Sequence, residues 1–152
     1  MSDSDCLELP DPPGDCAFCD YLAGRRPYAV VARHGLVAVL VTREPRGEPH
    51  ALVVTQRHCP SLLDVSNDEA AQLMLAARNT ARAIQAEYCR DGIAVWQNNG
   101  APAHQAIPHV HFHVAGTLDQ GGTDWGDVEE VPLVDAEAVA VRLRPHLEDW
   151  SS

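Results

Sequence analysis

The chain has 152 residues, 45% hydrophobic and 22% charged, enough to bury one core and too few for two full domains. Its 22 acidic against 11 basic residues give a formal charge of −11. That field opposes nucleic-acid backbones and anionic membrane surfaces, so neither is expected as a partner. A phosphate-bearing ligand would have to be held locally, by histidines, backbone amides or a few polar side chains. No run of about 18 apolar residues is present to span a membrane. The start Met1-Ser2-Asp3-Ser4-Asp5 is acidic where a secretory signal is basic and then apolar, and the expected location is the cytoplasm.

Residues 1–14 are rich in Asp, Pro and Gly and predict a flexible leader. A short helical turn is expected from Cys16 to Leu22, ended by Gly24. Ala29–Arg33 and Leu36–Thr42 are valine-rich and separated by His34-Gly35, which reads as a β-hairpin. The two prolines and glycine of Arg43–Pro49 predict a surface loop, and His50–Thr55 resumes a strand. Ser66-Asn-Asp-Glu69 is a capping box, followed by Ala70, Leu73, Met74, Ala77, Ala81, Ile84 and Tyr88 at helical spacing, so one long helix is expected, stopping around Asp91-Gly92. Ile93–Gln97 reads as a strand, residues 98–108 as a loop, and His109–Ala115 as a further strand. Gly116–Gly126 is too glycine-rich and polar to pack. A weaker helix is expected over Asp135–Arg144, capped by Asp135 and ended by Pro145. The pattern predicts an α+β domain with a largely antiparallel sheet, organised as a leader (1–14), a domain (15–118) and an extension (119–152) that packs on it.

Alternation along a strand puts His109, His111 and His113 on one face, with Val110, Phe112 and Val114 turned to the core. Three crowded imidazoles repel when charged and so stay at least partly neutral near pH 7, the form required of a nucleophile or metal ligand. Three readings are open on these residues alone: surface histidines, a facial metal site, or a catalytic group working on a phosphate ester, anhydride or phosphoramidate. Five cysteines (Cys6, Cys16, Cys19, Cys59, Cys89) form an odd set with no secretory context, so no disulfide framework is indicated. Cys16-x-x-Cys19 suits half of a tetrahedral zinc site, a redox pair or two buried thiols.

The stretch Asn98-Asn-Gly-Ala-Pro-Ala-His-Gln105-Ala-Ile-Pro-His109-Val-His111-Phe-His113-Val resembles the histidine triad (HIT) family, whose signature alternates three histidines with apolar residues. Upstream, Cys16-Ala-Phe-Cys19, Ala23-Gly24, Pro27, His50-Ala-Leu-Val-Val, Gln56-Arg57-His58 and the capped helix at Ser66 fall in the family's order. The intact third histidine and Asn98 resemble the Hint-like hydrolase branch rather than the uridylyltransferase branch. The resemblance implies a HIT-like fold of about five antiparallel strands, one long helix and a shorter C-terminal helix, in a homodimer. It also implies a nucleotidyl hydrolase or transferase. His111 would form a covalent nucleotidyl-histidine, His113 would help on the phosphate side, and His50 would support the triad. Asn98, Gln105 and Thr42 match substrate-contacting positions. In zinc-bearing bacterial members the two further ligands beside Cys16 and Cys19 match His58 and His109, implying a structural zinc, with Cys59 a possible competitor in the ligand set.

The departures from the family pattern bear on substrate. Ala106 stands where a serine or threonine often assists the leaving amine, which tilts the expectation towards a dinucleoside polyphosphate hydrolase over a nucleoside phosphoramidase unless His104 or His113 supplies the proton. Thr42 replaces the aspartate that holds ribose hydroxyls, Leu40 an aromatic residue near the base, and Pro49 precedes the supporting histidine. The competing expectation is a nucleotide-binding or partner-binding module with little turnover. Trp125 and Trp150 lie in the polar C-terminal region, where they would either cover a partner's site or pack locally, and local packing is the expectation.

Overall fold

The structure, a computed structural model, describes residues 6–12 and 14–149. Strands β1 (Ala29–His34), β2 (Val37–Val41), β3 (His50–Thr55), β4 (Ile93–Gln97) and β5 (His111–Gly116) form one antiparallel sheet in the order β1-β2-β3-β5-β4. Helices α1 (Ala17–Ala23), α2 (Asn67–Tyr88) and α3 (Leu133–Leu143) complete the expected α+β architecture. After β3 the chain crosses in α2 to the sheet edge, forms β4, and returns as β5 between β3 and β4. The histidine-bearing strand is therefore paired on both sides. His111 lies opposite Val54, and His113 sits between Leu52 and Trp96.

Local sequence accounts for most of the boundaries. Gly24 ends α1 at φ +76°, a conformation open to a residue without a β-carbon. The first hairpin turns on Gly35-Leu36 rather than His34-Gly35, because His34 still pairs with Val37. Both halves of the α2 capping box are made: the Glu69 N–H donates to Ser66 Oγ at 3.1 Å, and the Ser66 N–H donates to the Glu69 carboxylate at 2.9 Å. The helix stops at Cys89, itself left-handed at φ +47°, before Asp91-Gly92. The expected cap at Asp135 is corrected. α3 begins at Leu133 behind Pro132, whose fixed φ prepares the turn without any side-chain cap, and Asp135 lies within the first turn, where its charge favours the helix dipole. Pro145 falls in a short 3-10 turn, Arg144–His146, that continues from α3.

Both faces of the sheet are covered, which explains why every residue of β2 and β3 is buried and why their sequences run apolar without alternation. On one face Val37, Val39, Val53, Phe112 and Val114 pack against Leu73 and Ile84 of α2 and Ala136, Ala140 and Leu143 of α3. On the other, Ala38, Leu40, Leu52 and Val54 lie under Phe18 of α1. His50, His111 and His113 continue the rows of this second face. Within the segment read as a leader, the Glu8 carbonyl accepts the Ala101 N–H at 2.6 Å, against the loop that precedes the histidines.

Candidate active site and metal cluster

The period of two in β5 puts His111 and His113 together, and β3 brings His50 alongside. His109 does not share this strand: β5 starts at His111, which corrects the expectation of a strand from His109. The backbone there leaves the ladder. The His109 N–H donates to the Ile107 carbonyl and the Val110 N–H to the Cys59 carbonyl, while the His109 ring is fully buried against Thr55, its Nε2 2.8 Å from the Thr55 carbonyl.

Hydrogen-bond partners determine the tautomers of the other three histidines. The Arg46 backbone N–H donates to His50 Nδ1 at 2.9 Å, so neutral His50 carries its proton on Nε2. That proton is directed at His113 Nδ1, 3.0 Å away, and neutral His113 then carries its own proton on Nε2. His111 Nδ1–H donates to the His109 carbonyl at 2.7 Å, which leaves its Nε2 as a bare lone pair. Burial keeps all three uncharged. It pushes His50 down to about 3, with Arg46 and His111 adding to the effect, and His113 down to about 2, with His111, His50 and Arg46 adding. His111 is also lowered by burial, against the opposing pull of the His109 carbonyl. The site thus presents a lone pair and an N–H donor on two rings whose centroids are 5.0 Å apart. Trp96 stacks on His113 at 4.7 Å and 6°, and Phe18 meets His111 edge-on at 5.0 Å, fixing both ring planes.

These rings open on a cleft of 740 Å³. Its walls include Tyr21 and Tyr28, stacked at 3.8 Å, together with Thr42, Asn98, His104, Gln105, Ala106, the run from Thr123 to Asp127 and Glu130. The loop that supplies Arg46 is held by a close backbone approach. Glu48 N–H donates to the Gly116 carbonyl at 2.8 Å, Gly116 N–H donates to the Pro49 carbonyl at 2.9 Å, and neither Gly47 nor Gly116 has room for a β-carbon. The same loop holds the far wall: Asp124 N–H donates to the Arg46 carbonyl and Val131 N–H to the Arg43 carbonyl.

Behind the histidines, ligand atoms of Cys16, Cys19, His58 and His109 all lie within 4.8 Å of one another. Cys16 Sγ is 3.3 Å and Cys19 Sγ 3.6 Å from His109 Nδ1, and Cys19 Sγ is 3.4 Å from His58 Nδ1. A tetrahedron with ordinary zinc–sulfur and zinc–nitrogen bonds has S···N edges of about 3.5 Å. His109 donates through Nε2 to the Thr55 carbonyl, so its Nδ1 lone pair faces the sulfurs, the second-sphere arrangement of a metal-binding histidine. Burial and the adjacent Cys16 push the Cys19 thiol up to about 11, a cost that a divalent cation reverses by binding the thiolate. The donor set therefore fits a metal ion. Cys59 lies outside it, buried with its Sγ 3.8 Å from the Glu69 carboxylate.

The residues singled out from sequence fall into two neighbouring groups. His50, His111, His113, Thr42, Asn98 and Gln105 line the cleft, and Cys16, Cys19, His58 and His109 form the cluster. Within the first group, the Gln105 amide is saturated. Its Oε1 accepts the Gly100 N–H at 2.7 Å, and its Nε2 donates to the Pro60 and Ile107 carbonyls at 2.7 and 2.9 Å. Thr42 Oγ1 accepts the Glu44 N–H at 3.1 Å. The expectation of local packing for Trp125 is corrected, since it is 83% exposed at the cleft wall; Trp150 lies outside the described residues. Sequence reasoning missed Trp96, Phe18, Thr55 and the Arg46 amide. Trp96 alone had a signal, being an aromatic residue in the strand that pairs with the histidines.

Fold and site together define an α+β protein with a neutral histidine relay in a cleft, backed by a Cys2His2 cluster. The HIT domain family model matches residues 23–119. An adenosine 5'-monophosphoramidase of Schizosaccharomyces pombe is 31% identical over 99 residues, covering 65% of this chain and 71% of that protein. An adenosine 5'-monophosphoramidase of Saccharomyces cerevisiae is 30% identical over 105 residues, covering 69% and 64%. Among solved structures, a zinc-bound histidine triad family protein from Mycobacterium smegmatis superposes with a TM-score of 0.75 at 23% identity over 88% of this chain and 93% of that one, a likeness of fold. The chain belongs to the HIT family.

Proposed function

We propose that this protein is a nucleotidyl hydrolase that cleaves a phosphoramidate of a nucleoside monophosphate through a covalent intermediate on His111. The observation that carries the reading is the tautomer set: His111 Nε2 offers a lone pair to the cleft while its Nδ1–H is held by the His109 carbonyl. In the first step Nε2 forms a bond to phosphorus, and the phosphorus–nitrogen bond to the leaving amine breaks with its electron pair. The imidazole becomes cationic, so its bond to the His109 carbonyl turns charge-assisted and strengthens as the reaction proceeds. His113 Nε2–H, oriented by His50, donates to a phosphoryl oxygen, a contribution of the kind that costs about 100- to 1000-fold in rate when removed. Water then displaces His111 from phosphorus, and the labile bond makes one hard displacement into two easier ones.

The phosphoramidate is favoured over a dinucleoside polyphosphate by the two relatives named as adenosine 5'-monophosphoramidases. Cys16, Cys19, His58 and His109 would hold zinc in a closed structural site, which ties α1 to the sheet and leaves no coordination position for substrate.

Trapping tests the reading. Wild type incubated with a labelled adenosine phosphoramidate and quenched without acid carries label, whereas His111→Ala carries none and loses several orders of magnitude in turnover. Label retained by His111→Ala, or unchanged turnover, overturns the assignment. Nucleotide binding without label or turnover in wild type indicates a binding module.

A further inference from the structure

Departure of an amine from phosphorus needs a proton, and the relay does not provide one. His111 is the attacking group. His113 donates a hydrogen bond through Nε2, but giving up that proton would leave an imidazolate. His50 directs its proton at His113. Ala106, on the cleft wall, has nothing to donate. The cleft-lining carboxylates Glu44, Asp124, Asp127 and Glu130 are acceptors in their ionised form, and Arg43 and Arg46 do not release protons. Burial raises the phenols of Tyr21 and Tyr28, making them poorer acids.

The Thr42 and Thr123 hydroxyls on the wall are far weaker acids than an imidazolium, and His104 is the remaining described residue of suitable chemistry there. It lines the same cleft as His111 and His113, and in contrast to them its side chain is exposed to solvent. Its backbone is left-handed, φ +69°, a conformation uncommon for a residue with a β-carbon unless its surroundings hold it there. Here they do. The His104 N–H donates to the Ala101 carbonyl at 2.9 Å and the Gln105 N–H to the Gly100 carbonyl at 3.1 Å. The buried Gln105 amide then pins the next residue to Gly100, Pro60 and Ile107. A loop fixed by these hydrogen bonds therefore holds an exposed histidine at the cleft wall, the side chain most often used as a general acid.

We propose that His104 is the proton donor to the leaving amine, which makes basic, unactivated amines the substrates this cleft handles. The inference rests on the proposed nucleotidyl hydrolase activity. As His111 Nε2 bonds to phosphorus, the amine nitrogen takes the electron pair of the breaking bond and a proton from the His104 imidazolium. In the second step the attacking water gives a proton back to neutral His104 while the bonding pair returns to His111 Nε2. The net reaction consumes one water and releases the nucleotide and the amine.

The test compares two substrates with the same nucleoside monophosphoryl group, one carrying an alkylamine leaving group and one carrying fluoride, which departs without a proton. His104→Gly and His104→Asn are the variants, since both residues accept the left-handed backbone and keep the loop. On the alkylamidate kcat/KM falls by about 100-fold or more, the size of a general-acid contribution, and on the fluoridate by less than about fivefold. Equal losses on both substrates, or no loss on either, overturn the role of His104. Wild type that turns over neither substrate overturns the underlying activity and the inference with it.

Discussion

The proposed chemistry needs His50 and His113 neutral, and this condition is measurable as a dependence of stability on pH. Both are held well below the ordinary histidine value of 6.5, at about 3 and about 2, chiefly by burial. A depressed native value means that the unfolded chain binds more protons. The stability is therefore fully present above pH 6.5 and is lost as pH falls towards the native values. Between pH 7.5 and 5.5 each such histidine goes from about 0.1 to about 0.9 protons bound when unfolded and stays unprotonated when folded. The loss is about 1.4 kcal/mol each, or about 2.7 kcal/mol for the pair. Urea unfolding at the two pH values, at fixed metal content, reads this directly. The His50→Gln/His113→Gln double variant, whatever its absolute stability, loses about 2.7 kcal/mol less than wild type on going from pH 7.5 to 5.5. Equal losses in the two proteins would show that these rings already carry protons in the folded state and would refute the tautomer chain drawn through them.

Purified wild type is expected to hold one zinc per chain by elemental analysis, and Cys16→Ser to lose the metal and melt at a lower temperature, with several kcal/mol of stability lost; identical melting with and without metal would dismiss a structural role for the cluster. Leu143→Ala, which empties a fully buried position where α3 meets the main core, should cost about 2–5 kcal/mol in denaturant unfolding, and a loss below about 0.5 kcal/mol would mean that the helix is peripheral.

The elements were legible where a single physical signal dominated. The capping box at Ser66 and Glu69 fixed the start of α2, the period of two put His111 and His113 on one face, and Gly24 marked the end of α1. The end of α2 was expected slightly late, around Asp91-Gly92, because a cysteine, Cys89, rather than a glycine takes the left-handed position that closes the helix. The start of α3 was misplaced because a proline rather than a side-chain cap initiates it.

Sequence by itself determined the chemistry-bearing residue types and, through the family signature, their order. Alternation and cap chemistry are local, and they survive in one dimension. The family resemblance already implied different roles for the histidines; tertiary structure decided their surroundings and tautomers. His109 turns out of the strand where its Nε2–H reaches the Thr55 carbonyl, on β3, and its Nδ1 meets the sulfurs of Cys16 and Cys19, at the start of α1. His113 acquires its tautomer from His50, 63 positions away, and His50 from a backbone amide placed by a glycine-lined loop contact. Tautomer and protonation depend on which groups meet and how far water is excluded, and both are properties of the packed sheet.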